Sequence, residues 1–512
     1  MRLLRISLPT RLFVCCLLAW VAGAGCDEGR AKKGRDGGIL DAAPVPMDAT
    51  EPSIDAAESD APPAPGWLAT EILGLPTATS IAVSVVPEAD CELAFEYGAA
   101  SGAAMVQTQL ATASARVPFV GHIAGLTPDT QYRYRVLWRA PGAQSFAVGP
   151  EHSFHTARAA GSPFTFTIQA DPHLDENSNL TLYRVALANQ LADAPDFTID
   201  LGDTFMCEKH TAPFVAVNET ARDNATVVAR YLYERSNFGL VAHSVPLFLV
   251  NGNHEGENGW MLNGTAENLG VWATLARKAY YFAPVPDGFY GGSSSEEPFV
   301  GKRGSFYAWQ WGDALFIVLD PFWFTMKKLN QDAWAATLGQ EQYQWLGATL
   351  AASQARFRFV FIHNLVGGLD GQGRGGIEAV PFYEWGGANP DGSDGFAAHR
   401  PGWSKPIHQL LRDNHVTAVF HGHDHVYVKQ ELDGILYQEL PQPSAANFNN
   451  GPTLATEGHY TSGTILSSAG HLRVLVEPAQ STVSYVRAYR PEDENGRRKN
   501  RDIADSTVLL PR

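Results

Sequence analysis

Five short apolar runs in this chain each end on a side chain that can offer a lone pair to a metal. Residues 164–168 lead into Asp171-Pro172-His173, and 197–201 into Gly202-Asp203. Residues 246–250 lead into Asn251-Gly252-Asn253-His254-Glu255, 357–362 into His363, and 416–420 into His421-Gly422-His423-Asp424-His425. Short continuous apolar runs suit strands buried on both faces, and in open α/β sheets ligands gather beyond the strand carboxyl ends. Helical patterns separate the runs. Apolar residues recur at helical spacing over 180–191 after the candidate caps Ser178 and Asn179, and Tyr343, Leu346 and Leu350 share one face of 340–350. Ile407, Leu410 and Leu411 mark another helix before the last run. These stripes read as core, and the whole predicts an α/β body.

Taken singly, a histidine at a strand end is most often just hydrogen-bonded, and an aspartate before a helix is most often its cap. Taken together, Asp171, His173, Asp203, Asn253, His363, His423 and His425 supply oxygen and imidazole donors without thiolate, a set suited to Mn, Fe or Zn. The carboxylate of Asp203 could span two ions, one on each oxygen. His421 and Asp424, inside the last block, are expected to support the ligands rather than bind.

In these blocks the chain resembles the calcineurin-like metallophosphoesterase superfamily. Asp171-x-His173, Gly202-Asp203, Gly252-Asn253-His254-Glu255, His363 and Gly422-His423-x-His425 stand in that family's order, over about residues 163–490. The resemblance implies a four-layer α/β/β/α sandwich with two divalent or trivalent metal ions, Fe, Mn or Zn. Asp171, His173, Asp203 and His425 would hold one ion, Asp203, Asn253, His363 and His423 the other, with Asp203 as the bridge. His254, assigned to neither ion, would stabilise the transition state or protonate the leaving oxygen. In the related purple acid phosphatases a tyrosine three residues past the bridging aspartate gives the colour, and the first block has Gly where this chain has His173. Here Met206 replaces that tyrosine, so a colourless relative is expected. Many family members carry a second Asp a few residues past Gly-Asp; Thr204, Phe205, Met206 and Cys207 follow here, and no extra carboxylate is expected.

Ahead of this body, period-two runs at Ile81, Val83 and Val85, at Leu93, Phe95 and Tyr97, and at Tyr132, Tyr134 and Val136 predict a small antiparallel sandwich. The segment from Gly125 to Tyr134 resembles the tyrosine corner of fibronectin type III domains, with Tyr132 at the corner. Such a domain before a catalytic body resembles the purple acid phosphatase organisation, and it reads as a spacer or packing module.

The first 25 residues have an export signal's layout: Arg2, Arg5 and Arg11, an apolar run over 12–22, then small residues before Cys26. This resembles a bacterial lipoprotein signal with Cys26 as the lipidated terminus; an ordinary cleaved secretion signal is the alternative. Residues 26–66, rich in Ala, Asp and Pro, read as a disordered tether. The expected divisions are therefore 1–25 signal, 26–66 linker, 67–158 fibronectin type III-like domain, 160–490 catalytic domain and 491–512 C-terminal tail. The expected location is the bacterial cell envelope, with membrane association through Cys26, or the exterior. With 38 basic against 54 acidic residues, a formal −16, nonspecific nucleic-acid binding is not expected. Cys91 and Cys207 are expected as free thiols.

Between His363 and Ile407 lies a long glycine-rich connection, of the kind usually tied to function or disorder. Its Arg374, Tyr383, Trp385 and Trp403 are candidates for contacting phosphate and leaving group, or else for packing a lid. Gly371-x-Gly373-x-x-Gly376 neither follows a strand nor opens a helix and is set aside as a dinucleotide fingerprint. Asn179, Asn218, Asn224 and Asn263 fit the glycosylation pattern by chance, and Asp320 reads as a structural turn. The function these features imply is hydrolysis of phosphate esters by a metal-bound hydroxide, on monoesters first. Alternatives are phosphodiesters, including cyclic nucleotides or lipid head groups, and a non-catalytic surface binding module. A serine hydrolase is disfavoured by the absence of a Gly-x-Ser-x-Gly elbow.

Overall fold

The computed structural model describes residues 65–175, 177–208 and 223–512. The signal segment, Cys26, nearly all of the linker and Asn218 lie outside the described residues. Among the described residues no helix is long and apolar enough to cross a membrane.

Residues 67–155 form an all-β region of two sheets. Trp67–Gly74, Ser80–Pro87 and Phe119–Ala124 make one antiparallel sheet; Cys91–Ala99 and Gln131–Arg139 pair at the centre of the other. Alternate residues point inward, so Ile81, Val83 and Val85 meet Leu93, Phe95, Tyr134 and Val136 in one core. The Tyr132 hydroxyl accepts from the Thr127 N–H at 2.9 Å, closing the corner as fibronectin type III-like domains do. Cys91 and Cys207 are both free and buried.

Four of the five apolar runs supply strands flanked on both sides. Phe164–Gln169, Phe197–Asp200 and Leu247–Leu249 run parallel in a six-stranded sheet, continued antiparallel by Gly470–Glu477, Gln480–Arg487 and Ile503–Leu509. Of the five runs, only 246–250 supplies an edge strand, Leu247–Leu249. In an eight-stranded sheet, Ala314–Val318, Phe357–Phe361, Ala418–His421 and Ile435–Glu439 run parallel at the centre. The two sheets pack face to face through an aromatic core in which Phe166, Phe197 and Phe248 meet Trp309, Phe316 and Phe361. Helices Gln340–Ala352 and Ile407–Asp413 cover the outer face of the larger sheet. Leu180–Ala192 and Asn224–Ala242 pack beside the smaller one. This is the expected four-layer α/β/β/α sandwich.

One expectation is corrected. Residues 491–512 are no tail: Ile503–Leu509 completes the six-stranded sheet against Gln480–Arg487. As an edge strand it buries little, so its sequence lacks the apolar run that marks the central strands.

Candidate metal centre

Each candidate ligand stands in the loop just past a strand carboxyl end, or, for His363, directly after Phe357–Phe361. Five of them are held in left-handed backbone: Asp171 (φ +58°), His173 (+52°), Asp203 (+56°), His423 (+84°) and His425 (+61°). Such conformations cost side-chain-bearing residues of order 1–3 kcal/mol each and persist only where surroundings enforce them. Here the loops brace one another. The Asp171 N–H donates to the Gly202 carbonyl at 3.0 Å and the His173 N–H to the Asp203 carbonyl at 3.1 Å. Buried Arg230 donates to the carbonyls of His173 (2.7 Å) and Phe205 (2.8 Å). The glycine of each block is a matter of space: a Cβ on Gly202 would meet the Gly252 nitrogen at 2.3 Å, and one on Gly252 would meet Asp203 Oδ1 at 2.4 Å.

The side chains converge. Asp203 Oδ2 lies 3.3 Å from His363 Nε2, 3.6 Å from His173 Nε2 and 3.8 Å from His254 Nε2. Asp171 Oδ1 lies 3.6 Å from His425 Nε2 and 3.8 Å from His173 Nε2. Three overlapping sets, Asp171–His173–His425, His173–Asp203–His254 and Asp203–His363–His423, each bring their donor atoms within 4.8 Å of one another. Asp171 Oδ1, His173 Nε2 and Asn253 Oδ1 are buried without a hydrogen bond. Buried polar atoms left in this state are costly unless something else satisfies them, and a cation suits all three. The residues present therefore fit a metal centre.

Charge points the same way. The Leu201 carbonyl, 2.9 Å from His363 Nδ1, and the Gln372 carbonyl, 2.8 Å from His423 Nε2, take the protons on those nitrogens. That leaves His363 Nε2 and His423 Nδ1 facing each other at 3.2 Å, where two lone pairs need a proton or a metal ion. Burial works to lower the His363 imidazole, but the Asp203 and Asp171 carboxylates outweigh it and push it up to about 10. Burial together with His363 holds His423 down at about 4. Asp203, despite burial, is drawn well below the carboxylate range by His363 and His254. Cations bound here would displace the protons that the carboxylates attract.

Supporting groups complete the site. Glu255 accepts from the N–H groups of Asp203 (2.9 Å), Thr204 (2.7 Å), Phe205 (3.1 Å) and Gly252. His421 pairs with Glu439 at 2.6 Å, and Asp424 accepts from the Gly375 N–H and the Tyr460 hydroxyl. Asp320 accepts from the Phe322 N–H in a turn. The expectation of no further carboxylate after Gly202-Asp203 is corrected by Glu208. Left-handed Met206 turns the chain, the Glu208 N–H donates to the His254 carbonyl, and Glu208 Oε2 comes within 3.4 Å of His254 Nδ1. Lys328 Nζ lies 3.0 Å from the other Glu208 oxygen.

Beside the ligands opens a cleft of about 240 Å³, lined by Asn253, His254 and His423 together with Trp260, Lys328, Asn330 and Gln372. Sequence reasoning did not single out Trp260, Lys328 or Asn330, whose surroundings carry no motif. The glycine-rich connection does reach the cleft, through Gly371 and Gln372. Arg374 is not among the lining residues; its guanidinium donates to Gln372 Oε1 at 3.2 Å. Tyr383, Trp385 and Trp403 pack the loop instead: Trp385 is buried and bonds the Tyr437 hydroxyl, Trp403 stacks on Tyr343 at 3.9 Å, and Tyr383 sits edge-on to Trp334.

With this geometry in place, the comparisons with known proteins agree. The family model for calcineurin-like phosphoesterases matches residues 164–427. Among solved structures, PhoD superposes with a TM-score of 0.63 at 16% identity, over 89% of this chain and 92% of that one. Purple acid phosphatase PPD1 from yellow lupin (Lupinus luteus) seeds gives 0.56 at 16% identity, over 88% and 75%. At such identities the likeness is one of fold. No curated protein matches the sequence.

Proposed function

The chain belongs to the calcineurin-like phosphoesterase family, and from that premise we propose that this hydrolase of phosphoric esters works at a two-metal centre, on monoesters before diesters. The observation that carries the reading is the convergence of Asp171, His173, Asp203, His363, His423 and His425, with Asn253 Oδ1 buried and unbonded beside them. Asp171, His173, Asp203 and His425 would hold one ion, and Asp203, Asn253, His363 and His423 the other; the oxygen and imidazole donors suit Fe, Mn or Zn. Such ions, when bound, neutralise charge on the ester and activate water for attack on phosphorus. Asp203, shared by two of the donor sets, would serve both ions. His254 presents Nε2 toward Asp203 and Nδ1 toward Glu208, so Glu208 would orient the ring that protonates the leaving oxygen. The monoester preference is supported by an all-β region ahead of the catalytic body and by the overall likeness to a purple acid phosphatase. Met206, where a tyrosinate would give colour, makes the protein colourless in this reading.

Metal analysis of protein purified without chelator, with turnover of an aryl monoester beside a bis-aryl diester, tests the proposal. We expect two ions per chain and faster monoester turnover; a metal-free chain, or activity indifferent to chelation, would sink it. His254→Ala should keep both ions and lose roughly 10²–10⁴ in kcat; loss of metal instead would make His254 a ligand. We also propose, from the N-terminal signal, that the enzyme is exported and tethered at Cys26, which the mass of the mature N-terminus would decide.

A further inference from the structure

Away from the metal centre, a pocket of about 240 Å³ opens where the β region meets helix Asn224–Ala242. Trp67 and Trp138 form one part of its wall, their rings 5.0 Å apart and tilted by 55°. His152 of the β region and His243 at the helix end form another, stacked at 4.1 Å. Glu71 also lines it and is only 4% exposed. Its Oε1 lies 3.4 Å from His152 Nε2, within ion-pair range, but has no hydrogen bond. Burial would raise the Glu71 carboxyl, yet His152 and His243 hold it below the usual range, so it carries a negative charge. Burial and His152 hold His243 down at about 4, so the His243 imidazole is uncharged near neutrality.

Two other polar atoms of the wall are already engaged. Trp138 Nε1 donates to the Pro65 carbonyl at 2.8 Å, and His243 Nδ1 meets Ser244 Oγ at 2.7 Å. A sugar would need several hydrogen-bond partners, where this largely aromatic wall offers few beyond Glu71. A cation whose charge is wrapped in methyl groups needs none, since ring faces and a nearby negative charge suffice.

We propose that this pocket, shared by the β region and the catalytic body, binds a quaternary ammonium ion against the faces of Trp67 and Trp138, with the Glu71 charge behind them. It would give the β region a role beyond spacing. The test is calorimetric titration of the metal-loaded full chain with choline and with its uncharged carbon isostere, under saturating inorganic phosphate to keep the catalytic cleft occupied. One choline should bind per chain, with the isostere weaker by roughly tenfold. Trp138→Ala and Glu71→Gln should each weaken choline by a similar factor while the protein melts as before. Trp67→Leu covers the case in which Trp138→Ala does not fold. Absent binding, equal binding of the isostere, or binding indifferent to the indole variants would overturn the proposal.

Discussion

Glu255 accepts from four backbone N–H groups, those of Gly252, Asp203, Thr204 and Phe205, and so fixes where the Asp203 carboxylate points. Its place in the Gly252-Asn253-His254-Glu255 block was plain in the sequence; its task was not, because three of the four partners are main-chain groups 50 to 52 residues earlier, which no spacing rule connects. Glu255→Gln keeps the shape and loses the charge that gathers these donors. It should weaken metal binding by about 10–100-fold while the chain stays folded, read by metal titration; unchanged affinity would show that the loop holds itself. Two residues on, Glu257 does a different job. Burial would raise it, but Arg277 and Arg303, at 2.5 and 2.8 Å, hold it at about 2 against an ordinary 4.5. A folded-state pKa below the unfolded one means the stabilisation is complete above about pH 4.5 and is lost as pH falls through about 2. At neutral pH the shift is worth about 3 kcal/mol. Glu257→Gln should therefore be less stable by about that much at pH 7 in urea unfolding, with the gap narrowing from about pH 4.5 and closing only as pH falls through about 2. A gap independent of pH would place the effect in packing alone.

Helix Asn224–Ala242 joins three parts of the molecule. Near its start Arg230 grips the carbonyls of the two ligand loops, at its middle Arg235 donates to Ser84 and Tyr280, and at its end Gly239 and His243 line the interdomain pocket. Sequence reading passed over it. The buried face runs Val227, Arg230, Tyr231, Glu234, Arg235, Phe238 and Val241, so three ionisable residues interrupt the apolar stripe that marks a helix. The arginines are buried there because main-chain carbonyls wait for them, and Glu234 lies 3.0 Å from Arg230, which only the tertiary fold reveals. The same contrast explains the glycosylation-like triplets. Asn179 is a helix cap accepting from Leu182, Asn224 follows the cap Asp223, and Asn263 accepts from Thr265 in a turn. The central parallel strands, by contrast, were legible because both faces are covered and most positions are apolar. Arg235→Ala leaves the buried Ser84 and Tyr280 carbonyls unpaired, at about 1–3 kcal/mol each. It should loosen the β region from the body, seen as faster proteolysis near residue 160 with metal content unchanged; protection equal to the parent would show that apolar contacts alone hold the junction.

On the scale of the whole molecule, two sheets from distant parts of the chain must stay face to face for Asp171 and Asp203, on one, to meet His363, His423 and His425, on the other. The aromatic core supplies most of that cohesion, and its Phe-rich strands announced the architecture in the sequence. The closing strand did not announce itself. Ile503–Leu509 belongs to the smaller sheet, yet Asp505 accepts from the Tyr427 hydroxyl at 2.8 Å and pairs with Lys429 at 2.6 Å, both on the larger one. Beyond it the Arg512 guanidinium donates to the Val416 carbonyl at 3.0 Å. The strand thus ties one sheet to the other at the end of the chain, through polar contacts that alternate with solvent-facing positions. A protein ending at Arg490 would lose these ties and expose Gln480–Arg487 as an unpaired edge. Two hydrogen bonds to a charged group are worth about 3 kcal/mol, which for a body of this size is a fall in Tm of roughly 3–4 °C. Calorimetry of the shortened chain should show that fall, with the metal complement of the parent, because every ligand lies before residue 426. A melting temperature equal to the parent's would return these residues to the status of a tail.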